Sequence, residues 1–300
     1  MDNSSVRSIL NGILRQDQIL ENEPMSRHTT FRVGGCAAFL VTPENEEQIV
    51  EIMSSLSEVP HMVIGNGSNL LFSDDGYDGV VIELGSRFAE IKVSGTQITA
   101  QSGALLSKIA NTAAEYGLGG FEFASGIPGS LGGAVAMNAG AYGREMKDVI
   151  VSSTCVGGSG NILTVDDHEF SYRHSIFTNT NLVVLKSIIS LKPRNKDEIR
   201  NEMQELNARR KEKQPLEYPS AGSTFKRPEG YFAGKLIQDA GLMGCRIGGA
   251  MVSDKHAGFI INCGNATADD ILKLMEHVKS EVYMRFGVEL EPEVKIIGKE

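Results

Sequence analysis

Gly126-Ile127-Pro128-Gly129-Ser130-Leu131-Gly132-Gly133-Ala134-Val135-Ala136-Met137-Asn138-Ala139-Gly140-Ala141-Tyr142-Gly143 holds six glycines in eighteen positions and no charge before Arg144. A backbone of this composition turns sharply and lets another group approach closer than a Cβ would permit. As an ordinary structural helix it would be costly, since each glycine destabilises a helix by roughly 1 kcal/mol relative to alanine. Successive N–H groups in such turns form concave anion sites, and a helix that follows adds its positive end. The expected guest is a phosphate or pyrophosphate, best supplied by a cofactor that carries a diphosphate.

A second loop of the same character, Gly65-Asn66-Gly67-Ser68-Asn69-Leu70-Leu71, follows an apolar strand expected over 61–64. It contains neither the GxGxxG of a dinucleotide fold nor the GxxxxGK[ST] of a P-loop, and no long helical pattern follows it. An ordinary Rossmann or NTPase reading is therefore weak. The remaining composition narrows the class. A formal net charge of −9 argues against a nucleic-acid surface, which needs clustered Lys and Arg. Four cysteines without CxxC spacing imply neither a zinc site nor a disulfide framework, and six histidines show no metal spacing. No run approaches the ~20 apolar residues of a membrane span, and the N-terminus lacks a secretory hydrophobic region, so a cytoplasmic location is expected.

Periodicity outlines the elements. Helices are expected over 1–22 (Val6, Ile9, Leu10, Ile13 and Leu14 on one face), from Thr42-Pro43-Glu44 to 56, and over 105–116, 195–213 and 233–240. A last one runs from 267 to 286, capped by Thr267 with Asp270 three residues on. Strands are expected over 37–41, 61–64, 80–84, 91–93, 97–100, 182–191, 250–252, 259–262 and 293–297. A hairpin joins 149–156 to 161–165 across Gly157-Gly158-Ser159-Gly160. The alternation without repeats makes the class α+β with mixed sheets.

Taken together, the motifs resemble the flavin-dependent UDP-N-acetylenolpyruvoylglucosamine reductases (MurB) of bacterial peptidoglycan synthesis, over nearly the whole chain. The carriers are Thr30-Phe31-Arg32-Val33-Gly34-Gly35, Gly65-Asn66-Gly67-Ser68-Asn69-Leu70, the central glycine stretch, Tyr172-Arg173, Ala221-Gly222-Ser223-Thr224-Phe225-Lys226 and Glu291-Pro292-Glu293-Val294. The resemblance implies a two-lobed FAD-binding unit of the vanillyl-alcohol-oxidase type, with lobes at 1–82 and 83–192. It also implies a C-terminal α+β substrate-binding domain at 193–300, non-covalent FAD, NADPH as hydride source and a UDP-sugar substrate, with no obligatory protein partner. Cofactor contacts are expected from Thr29, Arg32, Gly65, Asn66, Gly67, Ser68, Asn69, Gly126, Pro128, Gly129, Ser130, Gly132, Gly133, Asn138 and Gly140.

The chemistry of that family suits particular side chains. Hydride from the reduced flavin N5 adds to the far carbon of an enolpyruvyl double bond conjugated to a carboxylate, leaving negative charge on the α-carbon and carboxylate. Arg173, planar and permanently charged, is expected to offset that charge. Ser223 resembles the family's proton donor, and Glu293 is expected to help while protonated, its pKa raised by partial burial. Lys226 and Tyr172 are expected on the substrate. Taken alone, such an arginine is more often a surface ion pair, a lone serine a turn or cap, and a glutamate after proline a solvated side chain.

The 50 positions from Arg173 to Ser223 leave no room for the tyrosine-bearing, substrate-covering loop of the family's longer branch, so the chain looks like the shorter branch. What clamps the uridine stays open. Two other readings share the cofactor fold: an oxidase of the vanillyl-alcohol type, whose flavin is often tethered to a histidine that Gly65–Leu71 lacks, and the flavin subunit of a molybdenum hydroxylase, which has no use for Ser223 and Glu293.

Overall fold

The computed structural model describes residues 2–298 and divides into two compact, interleaved units. One comprises Met1–Glu21, Ala38–Asn66 and Gly79–Ala208, the other Asn22–Ala37, Gly67–Asp78 and Arg209–Glu300.

The first unit begins with α1 (Asn3–Ile13), whose N-cap Asp2 accepts from the Ser5 N–H at 2.8 Å. The helix expected over 1–22 is thus shorter, and its Met1 lies outside the described residues. It stops because Leu14 is extended and Gln18 is pulled inside, its amide donating to the Thr42 carbonyl and to Gln48 Oε1, both at 3.0 Å. Ile19–Pro24 then becomes a strand. The next helix, α2 (Glu46–Ser55), starts later than Pro43 suggested, because extended Asn45 provides the cap by accepting from the Gln48 N–H at 2.9 Å. Both helices bury apolar faces (Val6, Leu10, Ile49, Ile52) with Phe39, Val80 and Ile82. Those last three lie on a sheet of order Ile19–Pro24, Cys36–Val41, Tyr77–Glu83, His61–Ile64, whose final pair is parallel.

A five-stranded antiparallel sheet, in the order Ile162–Val165, Ile150–Val156, Val183–Ser190, Gln97–Gln101, Ile91–Ser94, includes the expected hairpin. Helices α3 (Leu106–Glu115) and α4 (Leu131–Ala136) supply Ile109, Ala113, Leu131 and Val135 to the core that this sheet shares through Ile98 and Ile189. Helix α5 (Lys196–Lys213) buries only Ile199 and Met203.

Behind this sheet His168 is buried, stacked on Phe170 at 4.7 Å, with Nε2 2.9 Å from the Ser153 hydroxyl, which in turn meets Ser187. Burial pushes its pKa below the ordinary histidine value, and burial does the same to His256. The unfolded chain therefore takes up these protons first as pH falls. Stability is complete above the unfolded value near 6.5 and is lost as pH drops through and below it. The melting temperature should fall between about pH 7 and 5, above the carboxylate range, with each histidine contributing at most ~1.4 kcal/mol per pH unit. Replacing His168 by Gln should flatten that slope in a melting series; an unchanged slope would show that this ring does not titrate on unfolding.

The second unit packs α6 (Ala233–Asp239) and α7 (Ala268–Phe286) with a three-stranded antiparallel sheet, Arg246–Ile247, Ala250–Val252, Ile260–Asn262. Leu236, Ile260, Ile271, Leu274 and Val278 form its core together with Phe31, Leu71 and Phe225. The Thr267/Asp270 capping box is present, and the Asp74 carboxylate accepts two further N–H groups of the first turn, Ala268 and Asp269, each at 2.9 Å. The terminal strand is Lys295–Ile297, parallel to Leu70–Phe72; the residues expected to open it, Glu293 and Val294, belong instead to the segment beside Thr224.

Candidate active site

Within the first unit the two glycine loops meet. Asn66 donates its amide to the Pro128 carbonyl at 2.7 Å, and a Cβ at Gly65 would collide with the Ser130 hydroxyl. Ser130, extended, precedes α4, which places Gly132 and Gly133 inside a helix. Gly132 is there because a Cβ would lie 2.7 Å from Ser102 Cβ. Gly133 has no such reason: nothing lies within 4 Å of the position its Cβ would take. Gly126 and Gly129 complete the loop, whose Gly129 carbonyl accepts from Leu106 N–H at 3.0 Å.

Three buried hydroxyls on and against this stretch, Ser102, Ser125 and Ser130, have no hydrogen-bond partner in the protein. An unsatisfied buried polar group costs roughly 1–3 kcal/mol, so three at one place are expected to find acceptors in a ligand. Uncharged donors, glycine backbone and an open face at Gly133 fit the diphosphate and polar rim of FAD. Ser125 and Ser102 were missed by the sequence reading; their closeness to glycines was the available signal.

Asn138 and Gly140, expected on the cofactor, make contacts of their own within the same unit. A Cβ at Gly140 would lie 2.5 Å from the Arg144 carbonyl, because Gly140–Ala141 pairs with Arg144–Glu145. Asn138 is fully buried with φ 45°, and its side chain reaches Ser171. Ser171 and His174 close a tight turn through bonds of 3.1 and 3.2 Å, with Tyr172 and Arg173 at its tip. Arg173 adopts φ 55°, a left-handed conformation unfavourable for a residue that carries a Cβ, and its guanidinium lies 5.0 Å from the Tyr172 ring centroid.

In the second unit Gly67 (φ 58°) packs under the 28–30 segment, where a Cβ would strike the His28 carbonyl, and its own carbonyl accepts from Thr30 N–H at 3.3 Å. Thr29 is buried beside it, its hydroxyl 3.3 Å from the Val33 carbonyl, while Arg32 is exposed with φ 57°. Ser68 is half-buried. Asn69 donates to the Glu293 carbonyl at 3.0 Å, and Glu293 N–H donates to the Thr224 carbonyl at 2.8 Å.

Ser223 therefore sits on a braced strip. Thr224 is completely buried; its N–H donates to the Gly258 carbonyl at 2.9 Å and its hydroxyl accepts from Ile260 N–H at 3.0 Å. Phe225 and Pro292 form an antiparallel bridge. Ser223 itself is exposed and follows Gly222 at φ 76°; Glu293 is half-buried. Lys226 is bound by Glu291 through both backbone and side chain, a partner the sequence reading did not assign.

Residues 37–166 match the FAD binding domain family, and residues 214–297 match the UDP-N-acetylenolpyruvoylglucosamine reductase C-terminal domain family. Curated relatives named UDP-N-acetylenolpyruvoylglucosamine reductase include that of Caldanaerobacter subterraneus subsp. tengcongensis, 53% identical over 97% of either chain, and that of Clostridioides difficile, 50% identical over the full length of both. The chain belongs to the UDP-N-acetylenolpyruvoylglucosamine reductase family. Among solved structures, the MurB enzyme of Thermus caldophilus is 36% identical with a TM-score of 0.81, covering 94% of this chain and 98% of that one.

The expected α+β fold, an FAD-binding domain followed by the reductase C-terminal domain, is therefore borne out, and with it an FAD-dependent oxidoreductase of the MurB family. The oxidase and molybdenum-hydroxylase readings give way to it. No helix of the described residues is long and apolar enough to cross a membrane.

Gly133 offers a direct test of the cofactor cradle. In the absence of a ligand, Gly133→Ala should raise helix stability by up to ~1 kcal/mol, since its surroundings are open. Against bound FAD the added methyl should weaken binding at least about tenfold, equivalent to ~1.4 kcal/mol, in a fluorescence titration of the apoprotein. A variant that melts higher and binds FAD as tightly as the parent would remove Gly133 from the cofactor face.

Proposed function

We propose that the chain reduces the enolpyruvyl double bond of UDP-N-acetylglucosamine enolpyruvate to the lactyl ether of UDP-N-acetylmuramate, at the expense of NADPH, in the cytoplasm. Membership of the reductase family supports this reading of the substrate. The observation that carries the residue assignments is the strip in the second unit, where the Thr224 and Glu293 backbones are bonded at 2.8 Å and Ser223 stands exposed at its end.

FAD, which the glycine loop Gly126–Gly133 with Gly65 and Asn66 would hold, would supply the hydride chemistry between NADPH and the terminal carbon of the substrate. The protein's part is charge and proton management. Arg173 receives the substrate carboxylate in its planar fork and offsets the negative charge that develops on the α-carbon and carboxylate. Tyr172, at the tip of the same turn, lines the substrate side. The Ser223 hydroxyl gives its proton to the α-carbon, completing the C–H bond there, and regains one from solvent, to which it is open. Glu293 is held by two backbone bonds, to Thr224 and Asn69, and in its protonated form donates a hydrogen bond to the developing charge. Lys226, restrained by Glu291, binds the sugar nucleotide.

The cofactor contacts proposed are those of Thr29, Arg32, Gly65, Asn66, Gly67, Ser68, Asn69, Gly126, Pro128, Gly129, Ser130, Gly132 and Gly133. We assign the cofactor lobes to 1–82 and 83–192 and the substrate domain to 193–300. Turnover in D2O with unlabelled NADPH tests the chemistry: the product should carry deuterium at the lactyl α-carbon, by mass spectrometry and NMR. Consumption of NADPH only in the presence of oxygen, with no such product, would contradict it.

A further inference from the structure

The Asn138 side chain is completely engaged. Its amide nitrogen donates to the Ser171 carbonyl at 2.9 Å and to Glu145 Oε2 at 3.0 Å, and its oxygen accepts from the Lys147 N–H at 3.0 Å. It is wholly buried and holds φ 45°, a conformation asparagine tolerates better than most residues. All these bonds are made within the protein, and the longest-range of them ends on the residue that opens the Tyr172-Arg173 turn. Two neighbouring bonds run the same way. The Ala136 carbonyl, at the end of α4, accepts from the Ser175 hydroxyl at 2.6 Å and from the Thr178 hydroxyl at 3.2 Å. The segment 171–178 is thereby latched at both ends to the close of the glycine-rich helix.

We propose that Asn138 is a positioning residue for Arg173: it fixes the turn, and so the guanidinium, relative to the glycine stretch. The proposal rests on the reading that Arg173 meets the substrate carboxylate. Its physical content is strain. Arg173 sits in the left-handed region at φ 55°, a conformation that persists only where its surroundings determine it. Two backbone bonds between Ser171 and His174 close the turn, and the Asn138–Ser171 bond ties the residue that opens it to the glycine stretch, as Ser175 and Thr178 tie the residues that follow it. A guanidinium displaced by about 1 Å loses much of its worth in the transition state, on the order of 100-fold in rate.

The isosteric Asn138→Asp is the informative variant. It keeps the acceptor for Lys147 N–H, removes both donors and sets a carboxylate against Glu145. Three measurements on the holoenzyme and its apoprotein separate the outcomes. Hydrogen exchange should rise in peptides covering 168–178 and stay unchanged over 61–66. Reduction by NADPH should proceed at the parental rate, while oxidation by the enolpyruvyl substrate slows about 100-fold. In combination with Arg173→Ala, Asn138→Asp should add little further loss, since it acts through that residue. If Asn138→Asp fails to fold, Glu145→Gln, which leaves Asn138 in place but loosens its second anchor, should show the same pattern at smaller amplitude. Loss of FAD in proportion to activity, a slowed NADPH reaction, or full additivity with Arg173→Ala would overturn the proposal. An Arg173→Ala enzyme as fast as the parent would instead remove the reading beneath it, while the exchange data would still report whether Asn138 holds the turn.

Discussion

Ser223→Ala should bind FAD, be reduced by NADPH at the parental rate, and yet lose turnover by about 10³-fold, within the 10²–10⁴ range that a positioned proton donor contributes. The hydroxyl is exposed and lies outside the apolar core, so its removal should leave stability within ~0.5 kcal/mol. The reason for so large an effect is placement. Thr224 is anchored at its N–H, its carbonyl and its hydroxyl, which leaves the Ser223 backbone little freedom to wander from the α-carbon. Ser223→Cys retains a transferable proton at the same point, on a more acidic group that makes weaker hydrogen bonds, and should recover part of the rate. Single-turnover kinetics under anaerobic conditions check this; a Ser223→Ala enzyme with an unimpaired second half-reaction would end the proton-donor assignment.

Arg173→Ala should have the second-largest effect, also confined to the substrate half-reaction. Removing a charge aimed at a developing anion costs on the order of 10²–10³ in rate, about 2.7–4 kcal/mol. Arg173→Lys keeps the charge but forfeits the two-pronged match to a carboxylate, so it should fall between the parent and Arg173→Ala. A shorter side chain also relieves nothing in the backbone, which stays at φ 55° as long as the Ser171–His174 turn is closed. The observable is the rate of oxidation by substrate set against an unchanged rate of reduction by NADPH. Equal losses in both would place Arg173 on the cofactor and not on the substrate carboxylate.

Much of this was legible in the sequence because glycine is conspicuous. Gly65 and Gly132 mark places where a Cβ has no room, against Ser130 and Ser102, and such close approaches leave a compositional trace. The α5 and α7 helices were equally plain, since their periodicity and the Thr267/Asp270 cap are local. Long-range polar bonds leave no such trace. Gln18 reads as one more polar residue on an amphipathic helix, but its bonds to Thr42 and Gln48, 24 and 30 positions away, end that helix early. Asn138 reads as part of a cofactor motif, while its amide is bound to a carbonyl 33 positions on. The interleaving of the two units was invisible for a related reason: four of the five passages of the chain between them, at 21/22, 37/38, 66/67 and 78/79, fall within continuous strands and loops where composition does not change, and only the fifth, at 208/209, lies in the charged helix α5.

The central claim is that one protein takes hydride from NADPH and passes it to an enolpyruvyl carbon. The most direct test is anaerobic stopped-flow on the purified holoenzyme: bleach the flavin absorbance with NADPH, then add UDP-N-acetylglucosamine enolpyruvate. The account predicts rapid return of the oxidised spectrum with formation of one equivalent of UDP-N-acetylmuramate. An enzyme that stays bleached until oxygen is admitted would contradict it.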